Sequence, residues 1–362
     1  MSSKRILHFD VLKGIAIFMV VMGHVIAMCI RGLDGAFLFK FIEQTHMPIF
    51  FFISGYLTYA ATGQSSFKAP NLKKRFMQLI IPFLVITPLW VLYFPHSGLQ
   101  SPLSDNLPAL YRAYWKDGYW FTLCLFELFL VYYPLSLLLS CLHRSWAQIV
   151  AIVATYAGLI VMAVLFSDEE AGVDYPGLGL LARFFPIFIM GVMAHRWRGA
   201  FDKACHNSAW ITTAVVTFAV AFFIVAYRWD MPWAENNTVA AAINYLLMPP
   251  MQLSLIVLAI AMAEPWCSRE FQSERQPGRI ARYFNLLGHK SLGIYLLHYF
   301  FLFPLTALQQ PLKQMALSAV PLAVVAAVVA VAIVAVTLLV IYALERSRLL
   351  AFLFLGQPMS PR

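Results

Sequence analysis

The chain has 362 residues, of which 61% are hydrophobic and only 12% are charged. A soluble globule of this composition would lack the polar residues to cover its surface, so an ordinary soluble domain is excluded and a chain in the lipid bilayer is indicated. The formal charge of +9 does not indicate a nucleic-acid partner, because the Lys and Arg residues are scattered through short segments rather than gathered on one face.

Ten apolar runs, taken in chain order, predict ten transmembrane helices joined mostly by short loops. Their bounds are residues 10–30, 47–61, 78–94, 119–141, 147–166, 180–195, 208–228, 239–262, 286–309 and 316–344. We therefore predict an all-α, polytopic transmembrane bundle that forms one membrane-embedded domain over residues 1–362, with short cytoplasmic tails at 1–8 and 346–362.

The basic residues favour one orientation of these spans. If residue 1 lies in the cytoplasm, 18 of the 26 Lys and Arg residues fall in inside segments and six in outside segments, while Lys13 and Arg183 lie within spans. This positive-inside bias predicts that both termini and the loop from Lys68 to Arg75 face the cytoplasm.

Three ionisable residues of the first span share one helix face. Asp10, Lys13 and His24 lie within about 60° of each other around the helix axis, and His24 lies roughly 16 Å beyond Lys13, toward the outer leaflet. Ionisable side chains at membrane depth are costly, which makes this face a candidate functional site. Two structural alternatives stay open: an interfacial ion pair of Asp10 with Lys13, and a hydrogen-bonded packing role for His24.

A second histidine, His46, stands at the outer entrance of the second span, near the same face of the membrane as His24. Neutral imidazole exchanges a proton near pH 7, so these two histidines are predicted to be catalytic, with His24 as a general base. Zinc is the competing chemistry. No His-x-x-x-His spacing or nearby pair of carboxylates supports it, and we expect no metal.

Other polar residues in or beside spans are weaker candidates. Glu127 and Arg183 either support the site or neutralise each other between helices, and His298 either supports the site or bonds a neighbouring helix. A basic group before the third span either anchors the topology at anionic lipid or holds the phosphates of a nucleotide-like donor. The supporting candidates are Glu127, Arg183, Ser54, Ser291, Tyr295 and His298, and the basic group is Lys73, Lys74 and Arg75.

Several blocks of the sequence resemble the acyltransferase-3 family of integral membrane O-acyltransferases. The blocks are Phe9-Asp10-Val11-Leu12-Lys13-Gly14, Val20-Val21-Met22-Gly23-His24, His46-Met47-Pro48 with Phe51-Phe52-Ile53-Ser54-Gly55-Tyr56, Lys74-Arg75 before Pro82, Tyr119-Trp120-Phe121, Arg183 with Gly191, and Leu287-Gly288 with Ser291, Tyr295 and His298. The resemblance implies about ten helices and an acyl donor such as acetyl-CoA, used as a substrate and bound from the cytoplasm, with no bound cofactor.

The same resemblance implies a sugar hydroxyl of a cell-envelope or exported glycan as the acceptor. His24 corresponds to the family's essential histidine, and Lys13 to a basic residue that is usually Arg. A Lys keeps the charge but loses the planar, two-pronged geometry of a guanidinium.

These observations together predict a membrane O-acyltransferase, in particular an O-acetyltransferase, in the cytoplasmic (inner) membrane of a bacterium. Its expected partners are acyl-CoA, the glycan acceptor, the lipid bilayer and envelope-assembly proteins. The donor-side residues are expected to be Lys13, Asp10, Lys73, Lys74 and Arg75. Two other functions stay open: a proton-coupled transporter or exporter in which the histidines and Glu127 relay protons, and a scaffold within an envelope-assembly complex.

Overall fold

A computed structural model describes residues 6–60, 70–96, 107–113, 116–168, 173–174, 177–227, 237–271, 277–314 and 319–359. Within these ranges the chain is almost entirely helical, which confirms the predicted all-α class. The exception is a two-residue antiparallel pair, β1 (Ser167–Asp168) with β2 (Val173–Asp174).

The helices follow the apolar segments in chain order. They are α1 (Leu7–His24), continued by a π-helical segment (Val25–Ile30), α2 (Phe37–Ala60), α3 (Leu72–Tyr93), α4 (Leu107–Arg112), α5 (Trp120–Cys141), α6 (Ser145–Phe166), α7 (Leu178–Arg196), α8 (Arg198–His206), α9 (Ser208–Ala226), α10 (Asn237–Phe271), α11 (Arg279–Leu297), continued by a 3₁₀ turn (His298–Phe301), α12 (Thr306–Gln314), α13 (Ala319–Leu344) and α14 (Arg348–Leu355).

Among the residues just delimited, eight helices are long and apolar enough to cross a membrane, and the pair formed by α11 and α12 passes the same criterion when joined. Each of the ten predicted spans overlaps a helix, although α2, which overlaps the second span, is not among the eight. The chain is therefore an integral membrane protein by its helices, whereas the number of crossings and the location of the termini stay predictions.

The structure corrects several of the predicted span bounds. The helix of the third span begins at Leu72 rather than 78, and that of the eighth ends at Phe271 rather than 262. The helix of the second span begins at Phe37, ten residues before the predicted start at 47. The added residues include Lys40 and Glu43, which end the apolar run but do not end the helix. The ninth predicted span, 286–309, is interrupted after Phe301, and α12 leaves at an angle of 102°. Pro304 lies in the break, where it cannot donate a backbone hydrogen bond and disfavours helix at the residue before it.

The contacts within the chain define two compact units, here called the first and the second unit. The first unit contains α5 to α10 and the second half of α2. In it, Gly55 faces the Phe188 carbonyl oxygen, and a Cβ on Gly55 would lie 2.0 Å from that oxygen. Phe51 stacks on Phe184 with 4.4 Å between ring centroids, and Trp120 stacks on the same ring at 5.2 Å.

The second unit contains α1, the first half of α2, most of α3, and α11 to α14. Its closest backbone contact joins α1 to α11. A Cβ on Gly14 would lie 1.8 Å from the Phe284 carbonyl oxygen, and a Cβ on Gly288 would lie 1.7 Å from the Asp10 carbonyl oxygen. Small residues permit such close approach of helices in lipid, where packing rather than the hydrophobic effect holds helices together.

The α1–α11 contact predicts that Gly288→Ala destabilises the protein. The added methyl group would overlap the Asp10 carbonyl, and overpacking of this kind typically costs about 1–3 kcal/mol. Gly158→Ala on α6 is the matched control, because a Cβ there meets nothing within 4 Å. We expect thermal unfolding in detergent to occur at a clearly lower temperature for Gly288→Ala and at an unchanged or higher temperature for Gly158→Ala. Equal midpoints for the two variants would contradict the close approach.

Candidate active site

His24 and His298 each stand where an α-helix changes into another helical form. His24 ends α1 and is followed by the π-helical segment, and His298 follows Leu297, the last residue of α11, and begins a 3₁₀ turn. π-helical turns are rare in proteins, and those that occur are often found at functional sites. A backbone bond from the Leu305 N–H to the Cys29 carbonyl, 2.7 Å long, joins the end of the π-helical segment to the chain that follows the 3₁₀ turn.

The two histidines and Tyr299 form one hydrogen-bonded cluster within the second unit. His24 Nδ1 lies 2.9 Å from His298 Nε2, and the Tyr299 hydroxyl lies 2.9 Å from His24 Nε2. The rings also pack on one another, with centroids 5.1 Å apart for the two histidines and 4.7 Å apart for His24 and Tyr299. Both nitrogens of His24 are therefore engaged by side chains from another helical segment.

Burial differs among the three members of this cluster. His298 has no exposed surface and Tyr299 is 1% exposed, whereas His24 is partly exposed. Trp90 of α3 covers Tyr299 on another side, with ring centroids 5.6 Å apart. His24 is thus the most exposed of the three side chains.

The hydrogen bond at His24 Nδ1 differs from those of other helical histidines. His46, His206, His289 and His298 each place Nδ1 against the carbonyl four residues earlier in their own helix. That local bond is the ordinary way to satisfy a histidine in a helix. His24 instead directs Nδ1 to another helix, an arrangement that agrees both with a catalytic role and with the hydrogen-bonded packing role named above.

His46 lies inside α2, where its Nδ1 donates to the Ile42 carbonyl. In a neutral imidazole the other nitrogen, Nε2, then carries the lone pair and accepts rather than donates. His46 belongs to the same unit as His24. Its predicted part in catalysis stays a prediction.

The predicted pair of Asp10 and Lys13 is present at the start of α1. Lys13 Nζ lies 2.7 Å from Asp10 Oδ1, and His289 Nε2 of α11 lies 3.7 Å from Asp10 Oδ2. This is the ion pair named above as the alternative to donor binding, and it adds a histidine that the sequence did not indicate. The pair does not exclude a ligand, because all three side chains keep some exposure.

The three basic residues in the first turn of α3 have different surroundings, all within the first unit. Lys73 and Lys74 are exposed, and the Lys74 N–H is bonded by the Asn71 side chain, which caps the helix. The Arg75 guanidinium lies 4.5 Å from the centroid of the Phe129 ring, which is the geometry of a cation–π contact. Arg75 thus has a packing role, and the contact of these residues with a donor stays a prediction.

Glu127 of α5 lies beside the N-terminus of α7. A Cβ on Gly177 would lie 2.8 Å from Glu127 Oε2, and that oxygen is buried and has no hydrogen-bond partner among the residues that the structure describes. The charged neighbours acting on Glu127 are Lys116 and Asp174. The Arg183 guanidinium lies 5.7 Å from the Phe184 ring centroid, and its predicted neutralisation of Glu127 stays a prediction.

Lys116 and Asp174 were not predicted as a pair, and they organise the segments that precede α5 and α7. The Asp174 carboxylate accepts hydrogen bonds from the Gly179 and Leu180 N–H groups at 2.9 and 3.1 Å, so it caps α7. Lys116, 1% exposed and with a positive φ of 43°, donates to the Asp174 carbonyl at 2.7 Å.

The remaining predicted supporting residues are Ser54, Ser291 and Tyr295. Ser54 lies in α2, within the first unit, and its carbonyl accepts a bond from Thr58. Ser291 lies in α11, about two helical turns before His298. The Tyr295 carbonyl accepts a bond from His298 Nδ1 at 2.8 Å, so Tyr295 supports that histidine through its backbone.

The acyltransferase-3 model, described as "Acyltransferase domain", matches residues 6–344 of this chain. The chain belongs to the acyltransferase-3 family. It is 30% identical over 312 residues to nodulation protein NolL of Mesorhizobium japonicum (strain LMG 29417 / CECT 9101 / MAFF 303099), which covers 82% of this chain and 76% of that protein. It is 36% identical over 123 residues to nodulation protein NolL of Sinorhizobium fredii (strain NBRC 101917 / NGR234), 32% of this chain and 33% of that protein. No solved structure matches.

The surroundings of Lys116 generate a pH-dependent prediction. Burial lowers the pKa of its ammonium below the ordinary value of 10.5, although Asp174 acts in the opposite direction. Between the lowered pKa and 10.5, the unfolded chain binds more protons than the folded chain, so this residue makes stability rise with pH in that window. In thermal unfolding at a series of pH values, the midpoint of the parental chain should therefore rise relative to that of Lys116→Met as pH approaches 10.5.

The control for this series is Lys203→Met, which removes an exposed lysine of α8 in the same unit. We expect its curve to run parallel to the parental one. Parallel curves for Lys116→Met and the parental chain would show that burial of Lys116 does not matter for stability.

Proposed function

We propose that this acyltransferase moves an acyl group, in particular acetyl, from acyl-CoA to a hydroxyl of a cell-envelope or exported glycan. The observation that carries the proposal is the environment of His24. It is the partly exposed member of a buried histidine cluster in a chain of an acyltransferase family, and both its nitrogens are held in hydrogen bonds. A general base needs this combination of access and fixed orientation.

The chemical step balances as a transesterification from sulfur to oxygen. A lone pair of His24 takes the proton of the acceptor hydroxyl while that oxygen forms a bond to the thioester carbonyl carbon. The carbon–sulfur bond then breaks, and the thiolate of CoA receives the proton from the imidazolium. The products are the O-acyl glycan and CoA with a free thiol, and His24 returns to its neutral form.

Lys13 is proposed to bind the donor at the cytoplasmic end of α1. A Lys ammonium favours phosphate or another anionic group, and the rise of the helix puts Lys13 roughly 16 Å from His24, which a long thioester arm spans. Asp10 and His289 beside Lys13 would orient its ammonium. Lys73 and Lys74 of the first unit are proposed, separately, to contact an anionic group of the donor, since both are exposed.

The developing negative charge on the thioester oxygen needs a hydrogen-bond donor. His46 can supply one from Nε2 only as an imidazolium, because its Nδ1–H is bonded to the Ile42 carbonyl. We therefore propose His46 as a charged donor to this oxygen.

The membrane is proposed to be the inner membrane of a bacterium, with both termini in the cytoplasm, on the basis of the 18-to-six partition of basic residues.

The proposed function predicts that His24→Gln abolishes acyl transfer in a folded protein. Glutamine keeps polarity and much of the volume but cannot exchange a proton near pH 7, and loss of a general base removes roughly two to four powers of ten in rate. Radiolabelled acetyl-CoA added to membranes that contain the chain should label the glycan fraction, and mass spectrometry should show one acetyl increment. A folded His24→Gln variant that binds acetyl-CoA and transfers at the parental rate would rule out the mechanism.

The donor assignment predicts different behaviour of two substitutions at Lys13. Lys13→Ala removes the charge and should raise the KM for acetyl-CoA by about ten- to a hundredfold, whereas Lys13→Arg keeps the charge and should change it less. The double variant Asp10→Asn with Lys13→Gln is the control for the ion pair. Recovery of the parental KM in the double variant would show that Lys13 acts only by pairing with Asp10.

A further inference from the structure

His298 is held by its own helix in a way that fixes where its proton lies. Its Nδ1 lies 2.9 Å from the Ile294 carbonyl oxygen and 2.8 Å from the Tyr295 carbonyl oxygen. Carbonyl oxygens only accept hydrogen bonds, so Nδ1 carries the hydrogen. In the neutral imidazole, Nε2 of His298 then has the lone pair, and it faces His24 at 2.9 Å.

The tautomer of His24 follows from that of His298. Because His298 Nε2 accepts, His24 must donate from Nδ1 to form the observed contact. The lone pair of neutral His24 therefore lies on Nε2, where the Tyr299 hydroxyl donates to it at 2.9 Å. Three side chains and two carbonyls thus set one direction of hydrogen bonding, from Tyr299 through His24 and His298 to the backbone of α11.

We propose that His298 is a positioning residue that fixes the tautomer and ring orientation of His24, so that Nε2 of His24 is the atom that removes the acceptor's proton. This inference rests on the proposed function and deepens it by naming the reacting atom and its support. The acceptor hydroxyl is accordingly placed on the Tyr299 side of the His24 ring, where it takes the place of the Tyr299 hydroxyl as the donor to Nε2 before its proton is removed.

His298 also acts after the proton has moved. When Nε2 of His24 gains the proton, the Nδ1–H bond to His298 becomes a bond from a cation, and charge-assisted bonds are about twice as strong as neutral ones. The bond is thus stronger when the base is protonated than when it is neutral, which is the differential stabilisation that raises kcat rather than lowering KM.

Two substitutions at His298 separate positioning from packing. His298→Gln can keep an acceptor oxygen near the place of Nε2 but loses the aromatic ring. His298→Phe keeps the ring, which packs 4.2 Å from the Tyr299 ring between centroids, but has no acceptor. A positioning role predicts that Phe lowers kcat by about ten- to a hundredfold with little change in the KM for acetyl-CoA, and that Gln recovers most of the rate.

The control is Thr337→Val in α13, which packs on α11 and on the 3₁₀ turn. Thr337 is fully buried and donates to the Ile333 carbonyl of its own helix, so its replacement changes a buried polar group in the same unit and removes none of the hydrogen bonds described for the histidine cluster. We expect the parental kcat for this variant. If His298→Phe transfers as fast as His298→Gln, or if both match the parental rate, the positioning role is wrong.

A spectroscopic measurement tests the inference separately from acyl transfer. Nitrogen NMR of membranes with isotope-labelled histidine, with the His24 signals identified by their loss in His24→Gln, should show the proton on Nδ1 and a lone pair on Nε2. In His298→Phe the two tautomers should mix. A His24 proton on Nε2 in the parental chain would overturn the inference, whereas an absence of acyl transfer with the expected tautomer would overturn the proposed function alone.

Discussion

The contact of α1 with α11 at Gly14 and Gly288 is the constraint on which the candidate site depends. The two helices meet backbone to backbone there, and each reaches its histidine ten residues later, at His24 and His298. A side chain at either glycine would force the helices apart, and a side-chain contact of about 3.6 Å is no longer a hydrogen bond. The distance of 2.9 Å between the two imidazoles is therefore set by residues that take no part in the chemistry.

A second imidazole is a suitable support for a base at membrane depth. A carboxylate in the place of His298 would bring a permanent charge into a fully buried position, which is costly unless it is paired. A neutral imidazole accepts the same bond from His24 Nδ1 without that charge. Its other nitrogen is satisfied by two carbonyls of α11, so no buried polar atom of His298 is left without a partner.

Much of the fold and part of the site follow from the sequence, for physical reasons that differ between elements. Long apolar runs predicted a helix at each of ten places, because in lipid a backbone satisfies its hydrogen bonds locally. The early start of α2 was not predictable from hydropathy, since Lys40 and Glu43 interrupt the run. His24 was found from the sequence as an ionisable residue at membrane depth. Its hydrogen bond to His298 was not predictable, because it depends on the packing of two helices that are far apart in the sequence. Tyr299 gave no signal, because an aromatic residue in an apolar run is ordinary.

The backbone bond from Leu305 to the Cys29 carbonyl limits how the site can move. This bond joins the segments that follow the two histidines in the chain. The glycine contact joins α1 and α11 at residues that precede the histidines. A segment fixed at both ends bends less than one fixed at a single end, so the imidazoles share their displacements instead of drifting apart. Acid–base chemistry tolerates little misplacement of the reacting atoms, with about 1 Å costing as much as a hundredfold in rate. Because α12 begins one residue after Leu305 and packs on the π-helical segment, the same bond also fixes the start of the helix that follows the break at Pro304.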